Sequence, residues 1–187
     1  FDSKAALLDG IVSRMVDAAT ASLAPAIADP DRSALEKFDA VFSGLASFKA
    51  DRRELILELM RVWLSDDNAV VREHFRRGVI AAMTPLLATI IRQGVAEGAF
   101  TASSPDHAGR VFASLLIGAN EAATDLFAAH QDGAVTFEEV ERTLTAYGDA
   151  FERILGARPG SLGFADRSAV VREWFDASTP VGQGGSA

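Results

Sequence analysis

The amino-acid sequence predicts an all-α protein, and three observations carry that prediction. The helix formers Ala, Leu, Glu and Arg abound, apolar residues recur at three- and four-residue spacing, and the period-2 alternation of strands is hard to find. The chain has 187 residues of which 49% are hydrophobic, enough for one or two domains with a real core, and that composition excludes global disorder. There is no Cys, so neither a disulfide framework nor a thiolate metal site is available, and no apolar run is expected to be long enough to span a bilayer. A soluble, cytoplasmic protein with no membrane partner is expected. The net charge of -8 opposes non-specific attraction to nucleic acid, so any DNA contact must come from elsewhere. Phe rather than Met stands first, and an upstream segment is expected.

The first helix is expected over residues 3–24, capped by Ser3, with Leu7, Leu8, Ile11, Val12, Met15, Val16 and Ala19 on one stripe. Pro25 and Asp29-Pro30 loosen and end it. Ser33 and Glu36 form a capping box for a second helix with Leu35, Phe38, Phe42, Leu45 and Phe48 at helical spacing. Asp51 with Glu54 repeats the pattern for a third, whose face carries Leu55, Ile56, Leu59, Met60 and Trp63, and Ser65-Asp66-Asp67 stops it. The fourth, about residues 66–97, turns Val71, His74, Phe75, Val79, Ala82, Met83, Leu86, Ile90 and Ile91 inward. Pro85 inside it removes the N–H that would bond the Ala81 carbonyl, which predicts a kink, and Gly98 ends it.

A central helix follows from Ser104 to Gln131, with Ser104 as cap, Pro105 at the first helical position and Asp106 facing the positive end of the dipole. From Val111 to Ala119 its residues are apolar or small on every side, which predicts cover by protein all round, until Asn120 and Glu121 interrupt it. Asp132-Gly133 turns the chain, and Thr136 with Glu139 caps a last core helix. There Phe137, Val140, Leu144, Tyr147, Phe151 and Ile154 form a strict seam of the kind that packs against another helix at about 20°. Gly156, Pro159, Gly160 and Gly163 mark a linker, after which Val170, Val171, Trp174 and Phe175 share one side of a short amphipathic helix before a Gly-rich tail. Residues 1–157 are therefore expected to form one domain, and 158–187 a linker, short helix and flexible tail.

Motifs of catalysis are scarce. The stretch from Asp132 to Glu139 resembles the second half of a calcium loop, but with Gly133 at the sixth position Ala128 and His130 stand where oxygen ligands belong, so a capped turn is preferred. His74, His107 and His130 lack the i, i+4 partners of a helical metal site. No nucleophile elbow, P-loop, dinucleotide fingerprint or zinc signature occurs, so no enzyme, metal or cofactor is expected. Arg52-Arg53 and Arg76-Arg77 are too small for a nucleic-acid footprint.

Two stretches carry a family resemblance. Phe1-Asp2-Ser3-Lys4-Ala5-Ala6-Leu7-Leu8 resembles the Tyr-x-x-Phe-x-Ser-Lys-x-x-Leu junction between recognition helix and effector domain in TetR-family transcriptional regulators. Gly94-Val95-Ala96-Glu97-Gly98-Ala99-Phe100 is similar to the family's Gly-x-x-x-Gly-x-Phe ending of its seventh helix. With the order of the helices, the resemblance covers residues 1 to about 157. It implies the effector-binding domain of a ligand-responsive regulator, taken as a repressor, whose DNA-binding head is absent from this chain and alone contacts operator DNA. It implies a homodimer through a two-helix hairpin, here the central helix with Leu115 and Leu126 and the last core helix with Leu144, Tyr147 and Phe151. It also implies a cavity for a small apolar or amphipathic organic effector, expected at Phe42, Met60, Trp63, Phe75, Met83, Leu116 and Asn120, with the mid-helix amide as polar anchor. The alternative is a helical homodimer that mediates protein interaction with a filled core and no ligand.

Overall fold

Two capping boxes start helices where the sequence places them. The Ser33 hydroxyl accepts from the Glu36 N–H while the Glu36 carboxylate accepts from the Ser33 N–H, and Thr136 and Glu139 repeat the exchange. The computed structural model describes residues 4–63, 69–164 and 168–176. Its described residues form seven helices and no strand: α1 Lys4–Ala28, α2 Ala34–Ala50, α3 Arg53–Trp63, α4 Ala69–Ala96, α5 Pro105–Gln131, α6 Phe137–Leu155 and α7 Ser168–Asp176. The expected roles of Ser3, of Ser65-Asp66-Asp67 and of the Gly-rich tail fall outside the described residues.

Four boundaries or environments differ from expectation. α1 runs through Pro25 to Ala28, because burying Leu23 and Ile27 against the core outweighs the single intrahelical bond that an exposed proline removes in the last turn. Asp51 caps the C-terminus of α2 instead of opening α3: it is α-helical, and its N–H donates to the Lys49 and Ser47 carbonyls. Ser104 occupies the N-cap position but makes no capping bond, since its hydroxyl pairs with His107 Nδ1 at 2.7 Å. The central helix α5 is not covered all round within one protomer. Gly109, Phe112, Ala113 and Ile117 are buried, whereas Val111, Ser114, Glu121 and Asp125 are exposed along the opposite side. Counting apolar residue types overstated the cover because the small residues have little apolar area to hide.

α4 and α5 lie side by side as an antiparallel pair. Arg92 near the end of α4 donates to Asp106 at the start of α5 at 2.8 Å, and Gly109 meets Ala88 and Thr84 so closely that an added Cβ would stand 2.9 Å from the Ala88 nitrogen. α1 and α2 pack on α4, and α6 packs on α5. The core at this end is aromatic: Phe38 of α2, Phe112 of α5 and Phe151 of α6 stack in sequence with ring centroids 5.1 and 4.5 Å apart, and Phe100 closes on Phe38. The stretch expected as a linker is seated on this core, with Leu162 buried and Phe164 4.7 Å from Phe42. Buried Glu152 fastens it by accepting from the Gly160 and Leu162 N–H groups. α7 docks through buried Phe175 onto Phe127, His130 and Phe137.

Three helices, within Ala6–Ala28, Ala69–Ala96 and Pro105–Gln131, are long and apolar enough to cross a membrane by length and composition, which corrects the expectation of none. In α4, residues 78–91 carry no charged side chain, whereas Arg14 and Asp17 lie inside the first segment and Glu121 inside the third. Here Ile80, Met83, Leu87, Ile90 and Ile91 of that stretch are buried in the protein core.

Candidate ligand site

The seven residues expected to line an effector cavity divide into three groups. Phe42 and Met83 belong to the packed core: Met83 is buried, and the Phe42 ring lies between 4.7 and 6.3 Å from those of Phe38, Phe112, Phe151 and Phe164. Phe75 and Leu116 are half-buried at the edge of that core, Phe75 also touching the smaller cluster of Leu8, Val12 and Val71. Met60 on α3 is half-buried outside both clusters, and the Trp63 side chain lies outside the described residues. Asn120 is half-buried in the middle of α5, and it has a partner that the sequence analysis did not single out.

That partner is Lys49, whose ammonium donates to Asn120 Oδ1 at 2.6 Å. Lysine has only donors, so the contact fixes which face of the amide points toward α2. Lys49 continues the inward stripe of α2, seven residues after Phe42 and one turn after Leu45, and a charged residue on that stripe is the signal that would have identified it. Lys49 and this bond are exposed, and desolvation by the neighbouring protein lowers its pKa from the ordinary lysine value.

On α4 the charges pair among themselves. Glu73 on α4 accepts from Arg76 at 2.9 Å and from Arg77 at 2.7 Å, and these bonds pull its pKa down to about 2. Arg76 is held above its usual value chiefly by the hydrogen bonds to Glu73, with a smaller contribution from the Glu121 carboxylate, which places the first half of α4 across from the middle of α5. The Lys49–Asn120 bond thus ties α2 to α5, and Leu45, Phe75 and Leu116 are partly buried against the main core. Among the described residues no group of three or more His, Asp or Glu is placed to hold a metal. His74 lies 3.4 Å from Asp9, and His130 Nδ1 is 3.0 Å from the Val135 carbonyl oxygen.

Two open surface hollows, of about 500 and 520 Å³, lie elsewhere, one at Arg32, Leu35, Glu36, Asp39 and Ser161 and the other along residues 50–55; neither includes an expected ligand residue.

The residues expected at a dimer interface also separate. Leu115, Leu126, Leu144 and Tyr147 are half-buried on α5 and α6, while Phe151 is 3% exposed and lies inside the protomer between Phe112 and Phe164. No protein-family model, curated protein or solved structure matches the chain.

Proposed function

We propose that this chain is the effector-sensing and dimerising region of a TetR-like transcriptional regulator, acting in the cytoplasm as a repressor and reading operator DNA through a helix-turn-helix segment outside this chain. The observation that supports it best is the way the Gly-x-x-x-Gly-x-Phe stretch works as one physical unit. Gly98 takes φ 74°, so that the Ala99 N–H returns to the Gly94 carbonyl and the Gly98 N–H to that of Val95. The chain then drops Phe100, 2% exposed, onto the bare backbone of Gly94. In this stretch Gly94, Gly98 and Phe100 each have a mechanical task in ending α4 and aiming the chain toward α5. The exposed side of α5 and the half-buried outer residues of α6 suit a two-helix contact with a second copy.

The second reading, a helical homodimer for protein interaction with a filled core, draws support from Phe42 and Met83, which pack as core. Neither reading assigns a catalytic residue or a cofactor.

A thermal-shift screen with small apolar and amphipathic compounds separates the two. A compound that binds the folded form at a hundred times its Kd adds about 2.7 kcal/mol, which for a chain of this size moves the melting temperature by roughly 5–10 °C. Absence of any concentration-dependent shift across a broad screen would favour the filled-core homodimer.

A further inference from the structure

We propose that α7 is a reversible latch that joins the start of α3 to the turn between α5 and α6, and that its release uncovers an aromatic platform on that turn. α7 has nine residues, too few to hold a helix alone in water, so its helical form depends on being docked. One side chain anchors it. Phe175 is 6% exposed, with its ring 5.5, 5.6 and 5.8 Å from those of Phe127, His130 and Phe137. Arg172 donates to Glu141 at 3.1 Å and lies over the Phe137 ring, and the Gln131 amide donates to the Phe175 carbonyl at 3.4 Å. Phe127, Phe137 and Phe175 belong to neither hydrophobic core cluster, so this contact can open while the main core stays packed.

On its other side α7 meets α3 at a cost. The Arg53 guanidinium lies 5.4 Å from the centre of the Trp174 ring, and Arg53 Nη2 is buried with no hydrogen-bond partner among the described residues. A ring face attracts the cation but accepts no hydrogen bond in the guanidinium plane, so the closed arrangement keeps a charged donor from both water and an acceptor. α3 does little to resist opening, since residues 53–60 are half-buried or exposed and none is fully buried. One aromatic anchor set against one unsatisfied donor is the balance of an element that opens well before the whole chain unfolds.

The test is native-state hydrogen exchange of the whole chain, read by mass spectrometry on peptides from α3, α5 and α7. In the wild type, α7 amides should be protected, yet exchange about a hundredfold or more faster than those of residues 109–117 in α5. Arg53→Met removes the unsatisfied donor and keeps an apolar stem beside Trp174, so it should slow α7 exchange about tenfold. Phe175→Ala should speed α7 exchange and raise the binding of 8-anilinonaphthalene-1-sulfonate to the uncovered rings, with α5 protection unchanged. Exchange of α7 as slow as that of α5 would overturn the inference by making α7 part of the cooperative core, and exchange at the rate of an unfolded peptide would overturn it by leaving nothing docked. Unchanged or faster α7 exchange in Arg53→Met would overturn the junction with α3. Loss of α5 protection in Phe175→Ala would overturn the separate opening.

Discussion

Gly94 and Gly78 sit on the same helix and predict opposite outcomes for one substitution. A Cβ at Gly94 would run into the Phe100 ring, which is itself buried, whereas a Cβ at Gly78 meets nothing within 4 Å. Gly78→Ala should therefore stabilise the protein by about 0.5–1 kcal/mol, the ordinary gain of removing backbone freedom from an exposed helical site. Gly94→Ala obtains the same helical gain but must displace a packed ring, an overpacking cost of about 1–3 kcal/mol, so it should be neutral to destabilising. Urea unfolding of the two variants checks the pair, and equal stabilisation by both would mean that Phe100 does not rest on Gly94. Lys49 teaches a related lesson at the same scale. A lysine at the end of a helix reads as a solvated charge, and only its position on the inward stripe, shared with Phe38, Phe42 and Leu45, marks it as different.

The starts of α2 and α6 depend on carboxylates, and this gives the fold a pH dependence of known sign. Side-chain and backbone hydrogen bonds from Ser33 lower the pKa of Glu36, and backbone and side-chain bonds from Thr136 lower that of Glu139, both from a starting value of 4.5. A carboxylate with a depressed folded pKa contributes stability that is fully present above its unfolded value and is lost as pH falls through the folded value. Melting temperatures measured from neutral pH downward should therefore hold steady to about pH 4.5 from these two groups and decline below it. Glu36→Gln and Glu139→Gln keep an acceptor at the cap but remove the titration, so the double variant should show a shallower decline. An unchanged acid profile in that variant would place the acid sensitivity elsewhere. At the α4–α5 contact, Gly109→Ala places a Cβ 2.9–3.0 Å from Ala88 and the Thr84 carbonyl, atoms of helix backbone that cannot swing aside. It should destabilise by about 1–3 kcal/mol in the same urea assay, and a stabilising effect would refute the close packing of this pair.

For the whole molecule, the faces that one protomer leaves uncovered frame the assembly. Val111 on α5 is 51% exposed, and Leu144 and Tyr147 on α6 are half-buried. In a two-fold dimer built from α5 and α6, Leu144→Arg would bury an unpaired charge at the contact and should yield monomers in sedimentation. Val170→Arg on α7, a residue 46% exposed, is the control and should leave the dimer intact. Equal masses for the wild type and both variants would contradict this interface. Phe151→Glu is unsuitable for the purpose, because Phe151 lies in the protomer core and the charge would unfold the chain rather than separate one copy from the other.

Much of the helical order was decided locally, and so the sequence determined it. Capping boxes at Ser33 and Thr136 and the glycine end at Gly98 are exchanges among residues within a few positions of one another, and the 3- and 4-residue spacing of Phe38, Phe42, Leu45 and of Val140, Leu144, Tyr147, Phe151 follows from the helical repeat. Where Pro25 can end α1 or ride on it, the burial of Leu23 and Ile27 decided between them. The candidate site depended wholly on tertiary structure. Asn120 stood out in the sequence because an amide interrupts an apolar helix, but its partner lies 71 positions away, and no periodicity within one helix encodes a contact across two. The same reason separates Phe42 and Phe151 from the surfaces expected of them. An apolar stripe states that a face will be covered, and only the arrangement of the other helices determines whether core, ligand or a second copy covers it.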